Sequence, residues 1–187
     1  MFATLLLIAA AAAPAGPPSA DAFRQALDAL DEPARLMALT CVSHVVNNND
    51  LESFLGSDPA YLPYSGQQAA PFLQGHEGKA WGFQVNGRRY VVAHTAGGIC
   101  SLHAQTAVRD TAAAGMKALL ELLYPGGVVP MPLPGQPTQD GPPSLHGWSV
   151  HDARLRKTYH FTALVAPQDN AMTHAVYSVL VTPAGTR

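Results

Sequence analysis

The sequence predicts an α+β domain, in which helices are segregated from an antiparallel sheet. Apolar residues recur with helical spacing near the start of the chain and again in its middle, whereas two other regions alternate with a period of two. The predicted order is N-terminal helices followed by β-β-β-α-β-β-β, with one main helix packed on the sheet. Runs of adjacent strands without intervening helices favour antiparallel pairing and hence the α+β class.

The composition limits both the size of the domain and the kind of partner. The chain has 187 residues, of which 48% are hydrophobic and only 13% charged, and its net charge is -2. One domain of ordinary size with a real core is therefore expected. The sequence argues against nucleic acid as a partner, because phosphate binding needs clustered Lys and Arg. It contains no Gly-rich phosphate loop after a strand, and we predict no cofactor.

The start of the chain, MFATLLLIAAAAAPAGPPSA, predicts a secretory signal peptide over residues 1–20. Its apolar run is too short to span a bilayer, which takes about 20 apolar residues. Small residues and Pro follow the run, and two Ala-rich positions satisfy an A-x-A cleavage pattern. No Lys or Arg precedes the run, so an uncleaved anchor or a core helix is the alternative. We expect a single domain over 21–187 that is periplasmic or secreted, with no stable membrane anchor after cleavage.

Two short helices are predicted after this segment. Ser19 can cap the first, and Asp31 can cap the second, with Pro33 in its first turn. The second helix should end at the polar run around residues 47–50. Residues 51–79 contain three prolines and no clear period, so we expect an ordered loop with at most one helical turn.

The period changes to two at Lys79, where the first of three strands is expected. Asn86-Gly87 is the strongest short-range hairpin signal and predicts a two-residue turn to a second strand. Gly97-Gly98 offers another tight turn, which leads to a third strand over residues 99–105.

If both turns have two residues, the pairing register follows, and the register decides which residues share a face of the sheet. One face is then small and apolar, carries Cys100, and packs under the main helix. The opposite face carries the aromatic residues and the histidines of these strands: Trp81, Phe83, Tyr90, Val92, His94, Ser101 and His103. A slip of one residue at the second turn would exchange the two faces of the third strand.

The main helix is predicted after Thr106, with an apolar stripe that continues to Leu123. Residues 125–144 are rich in Pro and Gly and predict a mobile loop inside the domain. The last third of the chain returns to a period of two. Three further strands are expected there, over residues 145–150, 157–165 and 174–182.

The chain has two cysteines, Cys41 and Cys100. In an exported protein an even number of cysteines predicts a disulfide, and two cysteines allow only one pairing. We therefore predict the disulfide Cys41–Cys100, which also leaves no free thiol for a Cys–His active site at GGICSLH, residues 97–103.

The eight histidines are scattered, and none of the common metal-binding spacings occurs. No specific metal site is therefore predicted. His94 and His103 would share the aromatic face and form the best candidate pair, either for a metal or for a hydrolase. A G-x-S-x-G nucleophile motif is absent from the sequence, and no catalytic residue is assigned.

Residues 79–107, KAWGFQVNGRRYVVAHTAGGICSLHAQTA, carry a Trp-bearing strand, a Gly-Gly-x-Cys turn and the start of an Ala-rich helix. This segment resembles a group of short, exported, uncharacterised proteobacterial proteins, some of which look like lipoproteins. The resemblance implies export and the strand-turn-strand-helix unit. It implies no mechanism, and the anchoring Cys of a lipoprotein is missing from this sequence.

The sequence supports three hypotheses of function. The first is an exported, non-enzymatic protein of the inhibitor or immunity type that binds a protein partner in the cell envelope through the face formed by Trp81, Phe83 and Tyr90. The second is a hydrolase or metal-dependent enzyme that uses His94 and His103. The third is a structural accessory subunit of an envelope assembly, with the Pro-rich loop as its docking segment.

Overall fold

A computed structural model of the chain describes residues 19–47, 49–105, 109–132, 144–166 and 173–183. Its centre is an eight-stranded antiparallel sheet with strands in the order β1-β2-β3-β4-β8-β7-β6-β5. The strands are β1 Leu62–Tyr64, β2 Gly78–Val85, β3 Arg88–Thr95, β4 Cys100–Ala104, β5 Val128–Pro130, β6 Ser144–Asp152, β7 Lys157–Val165 and β8 Ala175–Pro183. The helices are α1 Ala20–Asp28, α2 Glu32–Met37, a π-helical turn Ala38–Val42, α3 Ser43–Asn47, α4 Leu51–Gly56, α5 Gly66–Leu73 and α6 Arg109–Leu123.

The α+β class is confirmed, and the element order differs from the predicted one in detail. Two three-residue strands, β1 and β5, lie at the two edges of the sheet. Helix α4 forms where a single helical turn was expected, and α5 forms where a loop was expected. Each edge strand contains a proline, which cannot donate to a sheet and is tolerated only at such edges. Such short strands have no measurable period, so the sequence pattern missed them. Strand β5 occupies part of the predicted Pro-rich loop, and residues 133–143 of that loop lie outside the described residues.

The predicted helix starts are confirmed. The Ser19 hydroxyl accepts a hydrogen bond from the Ala22 amide at 3.2 Å, and the Asp31 carboxylate accepts one from Ala34 at 3.0 Å. These contacts satisfy amide groups that have no partner inside the helix. Nearly all of the predicted signal peptide precedes the described residues. Within the described ranges, no helix is long and apolar enough to cross a membrane.

The first hairpin turn forms as predicted, because Asn86 and Gly87 both have positive φ, at 50° and 76°. The second turn does not. Only Gly98 has positive φ there, at 82°, and the Thr95 amide donates to the Ile99 carbonyl at 2.9 Å. The loop therefore has three residues, 96–98, and it ends with a residue in the left-handed region.

The extra loop residue shifts β4 by one position against β3, so the predicted register is wrong. His94 lies opposite Cys100, and Val92 lies opposite Leu102. Because side chains alternate along a strand, the two faces of β4 are exchanged. Cys100 therefore shares the face of the aromatic residues, and His103 lies on the opposite face.

The aromatic face, not the small apolar face, carries the main core. Helices α2 and α6 and the π-helical turn pack against it, and its interior residues from all the long strands are buried. The opposite face is covered over β2 and β3 by α5, through Ala69, Phe72 and Leu73. The sheet thus separates two apolar clusters of unequal size.

Gly115 in the interior of α6 provides a test of this packing. A Cβ atom at this position would lie 2.5 Å from both carboxylate oxygens of Asp31, and the same carboxylate accepts hydrogen bonds from Ala34 and Thr111. Gly115→Ala should therefore lower the free energy of unfolding by about 1 kcal/mol, although in an open helix it would raise it by about 1 kcal/mol. Urea unfolding measures the change.

The control for Gly115→Ala is the same substitution made in an Asp31→Ala background. Without the carboxylate in the way, the added methyl group should be neutral or stabilising, so the double-mutant cycle should show a positive coupling energy. Equal effects of Gly115→Ala in both backgrounds would contradict the proposed steric contact.

Candidate functional site

The aromatic face that was expected to bind a partner is covered. Trp81, Phe83 and Tyr90 are only 5%, 6% and 1% exposed. The ring of Phe83 contacts Tyr61 with 4.8 Å between ring centroids, and the remainder of the face lies under the N-terminal helices. The expectation of a binding face is therefore corrected: these side chains belong to the main core, because helices from the start of the chain cover them.

Tyr90 is also held by a polar contact at the edge of this layer. Its hydroxyl donates to the Glu32 carboxylate at 2.6 Å, and Arg88 lies 3.9 Å from the same group. Burial, followed by the hydrogen bond to Glu32, raises the pKa of Tyr90. The phenol therefore stays protonated and links the start of α2 to the first hairpin.

Within the segment GGICSLH, residues 97–103, the side chains of Ser101 and His103 contact each other. The Ser101 hydroxyl lies 3.1 Å from Nε2 of His103, and His103 also hydrogen-bonds to the Phe72 backbone of α5. Burial lowers the pKa of His103 to about 4. Ser101 is 7% exposed and His103 3%, so a substrate carbonyl has no access to this hydroxyl. The arrangement satisfies two buried polar groups between α5 and the sheet.

His94 and His103 do not form a pair. They lie on opposite faces of the sheet as a result of the three-residue turn. The neighbour of His94 is His44 of α3, at 4.7 Å between ring centroids and an interplanar angle of 82°. Burial, and then the nearby His44, lower the pKa of His94. A metal site or an enzyme built from His94 and His103 is therefore excluded by their positions.

The disulfide Cys41–Cys100 is present, with the two Cα atoms 5.3 Å apart. It joins the π-helical turn to β4, and both cysteines are fully buried. His44 follows Cys41 by three residues, and His94 lies opposite Cys100. The disulfide therefore holds together the two backbone segments that carry the histidines.

The two histidines line an open pocket of about 330 Å³ where β2 begins and β3 ends. Its rim carries three charged side chains, Asp50, Glu52 and Lys79. The Lys79 ammonium donates to the Glu52 carboxylate, and Asp50 caps α4 through the amides of Glu52 and Ser53. Among the described residues, no group of three or more His, Cys, Asp or Glu is arranged to hold a metal ion.

A second surface is an apolar groove on the helical layer. A depression of about 300 Å³ lies between α1, the π-helical turn and the end of α6. A further depression of about 220 Å³ adjoins it and shares Leu39 and Ser43. Together they form the helical groove, whose apolar lining residues are Phe23, Leu27, Ala38, Leu39, Val42, Val46, Leu51, Phe54, Leu123 and Tyr124.

The helical groove exposes large apolar side chains. Leu39 is 50% and Phe54 49% exposed, although both belong to helices that also bury apolar residues. Exposed apolar residues that cluster around a concave surface are typical of interaction sites, whereas isolated ones are not informative.

Sequence reasoning missed this groove, although one signal was present. Residues 36–46 contain six Leu, Val or Met side chains that are spread over more than one helix face. A helix with one core face needs only a single apolar stripe. The additional apolar side chains indicate a second apolar surface on this segment. The sequence does not show whether other parts of the chain cover that surface.

Searches of this chain against protein-family models, curated proteins and solved structures find no match. The resemblance of residues 79–107 to exported proteobacterial proteins therefore stays a prediction.

Proposed function

We propose that this protein is an exported, non-enzymatic binding protein of the inhibitor or immunity type, located in the periplasm or outside the cell. The observation that carries the proposal is the helical groove with its exposed Leu39 and Phe54. The proposed binding surface is therefore this groove and not the sheet face that the sequence suggested. The disulfide and the leading apolar segment support the export part of the proposal.

The partner that fits this groove is a protein segment with apolar anchors, such as an amphipathic helix. Helix-in-groove recognition uses side chains spaced along one helix face and requires a concave apolar surface. Strand addition at the edges of the sheet is disfavoured by comparison. Both edge strands contain a proline, Pro63 in β1 and Pro130 in β5, and a proline cannot donate a backbone hydrogen bond.

The charge of the surface also fits a protein partner. Among the described residues, Asp28 of α1 forms an ion pair with Arg35 of α2 at 4.0 Å, so that these two charges neutralise each other. A net charge of -2 for the whole chain gives little long-range attraction for polyanions. Recognition should therefore depend on apolar contact more than on salt-sensitive attraction.

The test places a photo-crosslinking amino acid at Leu39 in the oxidised, exported protein. The matched control carries the same amino acid at Leu62, which is 62% exposed on the edge strand β1, away from the groove. We expect a discrete protein adduct from position 39 that is absent from position 62. The adduct is then identified and purified, and its affinity for the unmodified protein is measured.

We expect Leu39→Asp to weaken binding of the purified partner by at least about tenfold, because a carboxylate would have to be buried in an apolar contact. Leu62→Asp should leave the affinity within about twofold. Circular dichroism and thermal unfolding confirm that both variants are folded. Equal crosslinking from the two positions, or equal loss of affinity in the two variants, would refute the groove as the binding surface.

A further inference from the structure

We propose that His44 and His94 form a binding site for one divalent transition-metal ion of the Zn²⁺ and Cu²⁺ type. One imidazole nitrogen from each ring would bind the ion, and solvent would occupy the remaining positions. Imidazole is a ligand that suits these ions, and an open site with few protein ligands is compatible with solvent in the other positions. His44 also lines the smaller depression of the helical groove, but the metal site does not rest on the partner-binding function proposed above.

The distance between the two rings agrees with a shared ion. Metal–nitrogen bonds of about 2.0–2.1 Å place each ring centroid roughly 3.2 Å from the ion, so angles between about 90° and 110° give centroid separations of roughly 4.5–5.2 Å. The observed separation is 4.7 Å. The two imidazoles therefore lie at a separation that a shared ion requires, and rotation of the rings would direct one nitrogen of each towards it.

Contacts at Nδ1 hold the ring of His44 in its orientation. Nδ1 of His44 contacts the Asn49 carbonyl oxygen, and the Asn49 side chain is itself held by a hydrogen bond of 2.8 Å to Ser43. The Leu51 amide donates a hydrogen bond of 3.2 Å to the same Nδ1 when that nitrogen is unprotonated. Metal binding at Nε2 would select the form in which Nδ1 carries the proton and donates it to the carbonyl, as histidine ligands of metals commonly do.

The backbone around the pair is held in place before any ion binds. The disulfide links the π-helical turn to β4, and His44 and His94 lie next to its two ends. π-Helical turns are rare and occur frequently at functional sites. A rigid support of this kind lowers the cost of bringing two ligands together.

The charge at the rim of the pocket also favours a cation. Asp50 and Glu52 contribute two negative charges against the single positive charge of Lys79. Asp50 is close enough to His44 for an electrostatic interaction between them. Both carboxylates already have partners, so we assign them no role as ligands. Their contribution is a local potential that attracts a cation.

The test is calorimetric titration of the untagged, oxidised, EDTA-treated protein with Zn²⁺, in a buffer that does not bind metals. We expect one equivalent of Zn²⁺ to bind, and His44→Ala and His94→Ala each to weaken the affinity by at least about tenfold. The matched control is His76→Ala, since His76 is an exposed histidine outside the pocket. It should leave both affinity and stoichiometry unchanged.

A second measurement uses only the wild-type protein and so does not depend on the folding of any variant. Diethyl pyrocarbonate modifies unprotonated imidazoles, and mass spectrometry locates the modified residues. Zn²⁺ should protect His44 and His94 but not His76. The proposal is overturned if no Zn²⁺ binds, if only one of the two alanine variants loses affinity, or if Zn²⁺ leaves the modification of His44 and His94 unchanged.

Discussion

Loss of the disulfide Cys41–Cys100 is expected to lower the free energy of unfolding by about 4 kcal/mol. The bond closes a loop with a sequence separation of 59 residues, and in the chain-entropy model a loop of that size strongly restricts the unfolded chain. Both cysteines are completely buried, so their removal also affects packing between the π-helical turn and β4. For a domain of this size, such a loss is a large part of the total stability.

Urea unfolding of the oxidised protein, the reduced protein and the double variant Cys41→Ala/Cys100→Ala measures this effect. The reduced protein and the double variant should have similar stabilities, and the double variant should not respond to reductant. A difference of less than about 1 kcal/mol between oxidised and reduced protein would contradict the expectation. The same comparison shows whether the protein requires an oxidising compartment to stay folded.

Acidification is expected to destabilise the protein through His103. Burial lowers the pKa of this imidazole from 6.5 to about 4, so the unfolded chain binds a proton at a pH where the native state does not. The contribution of His103 to stability is therefore complete above about pH 6.5 and falls as the pH decreases towards 4, by about 3 kcal/mol in total. The described neighbours of the ring are the Ser101 hydroxyl, the Phe72 backbone and the Phe72 ring.

The measurement compares unfolding free energies at about pH 7.5 and about pH 4.5 for wild type and His103→Gln. Carboxylates contribute equally to the pH dependence of both proteins, so their effect cancels when the two are compared. On acidification the free energy of unfolding of the variant should therefore fall by about 2–3 kcal/mol less than that of wild type. His76→Gln serves as the control and should behave as wild type does, because that histidine is exposed. An NMR titration that finds a pKa near 6.5 for His103 in the native protein would contradict the argument directly.

Local chemistry explains which parts of the fold were predictable. The helix caps at Ser19 and Asp31, the Asn86-Gly87 turn and the period-two strands of the last third all depend on residues close in sequence. The disulfide pairing could be predicted without any structural information, because two cysteines permit only one pairing. The long amphipathic helix α6 was equally clear, since its apolar stripe repeats over several turns.

The length of the turn at residues 96–98 could not be predicted from the local sequence. Two adjacent glycines are compatible with a two-residue or a three-residue loop, and the choice between these loops moves the following strand by one position. That single step placed His103 and Cys100 on the wrong faces. The pairing of β4 with β8, which is distant in sequence, adds a second constraint on the register of this strand.

The sequence by itself determined the α+β class, the cysteine pair, the caps and the first hairpin, because each follows from short-range sterics, from hydrogen bonding or from counting. Only the tertiary structure decided which apolar surfaces are covered. Trp81, Phe83 and Tyr90 are buried because helices from the start of the chain pack over them, whereas Leu39 and Phe54 stay exposed because no described element reaches them. Likewise, His44 lies beside His94 because a disulfide joins their backbone segments. Burial and ligand pairing depend on contacts between distant segments, and a periodic pattern reports only on its own segment.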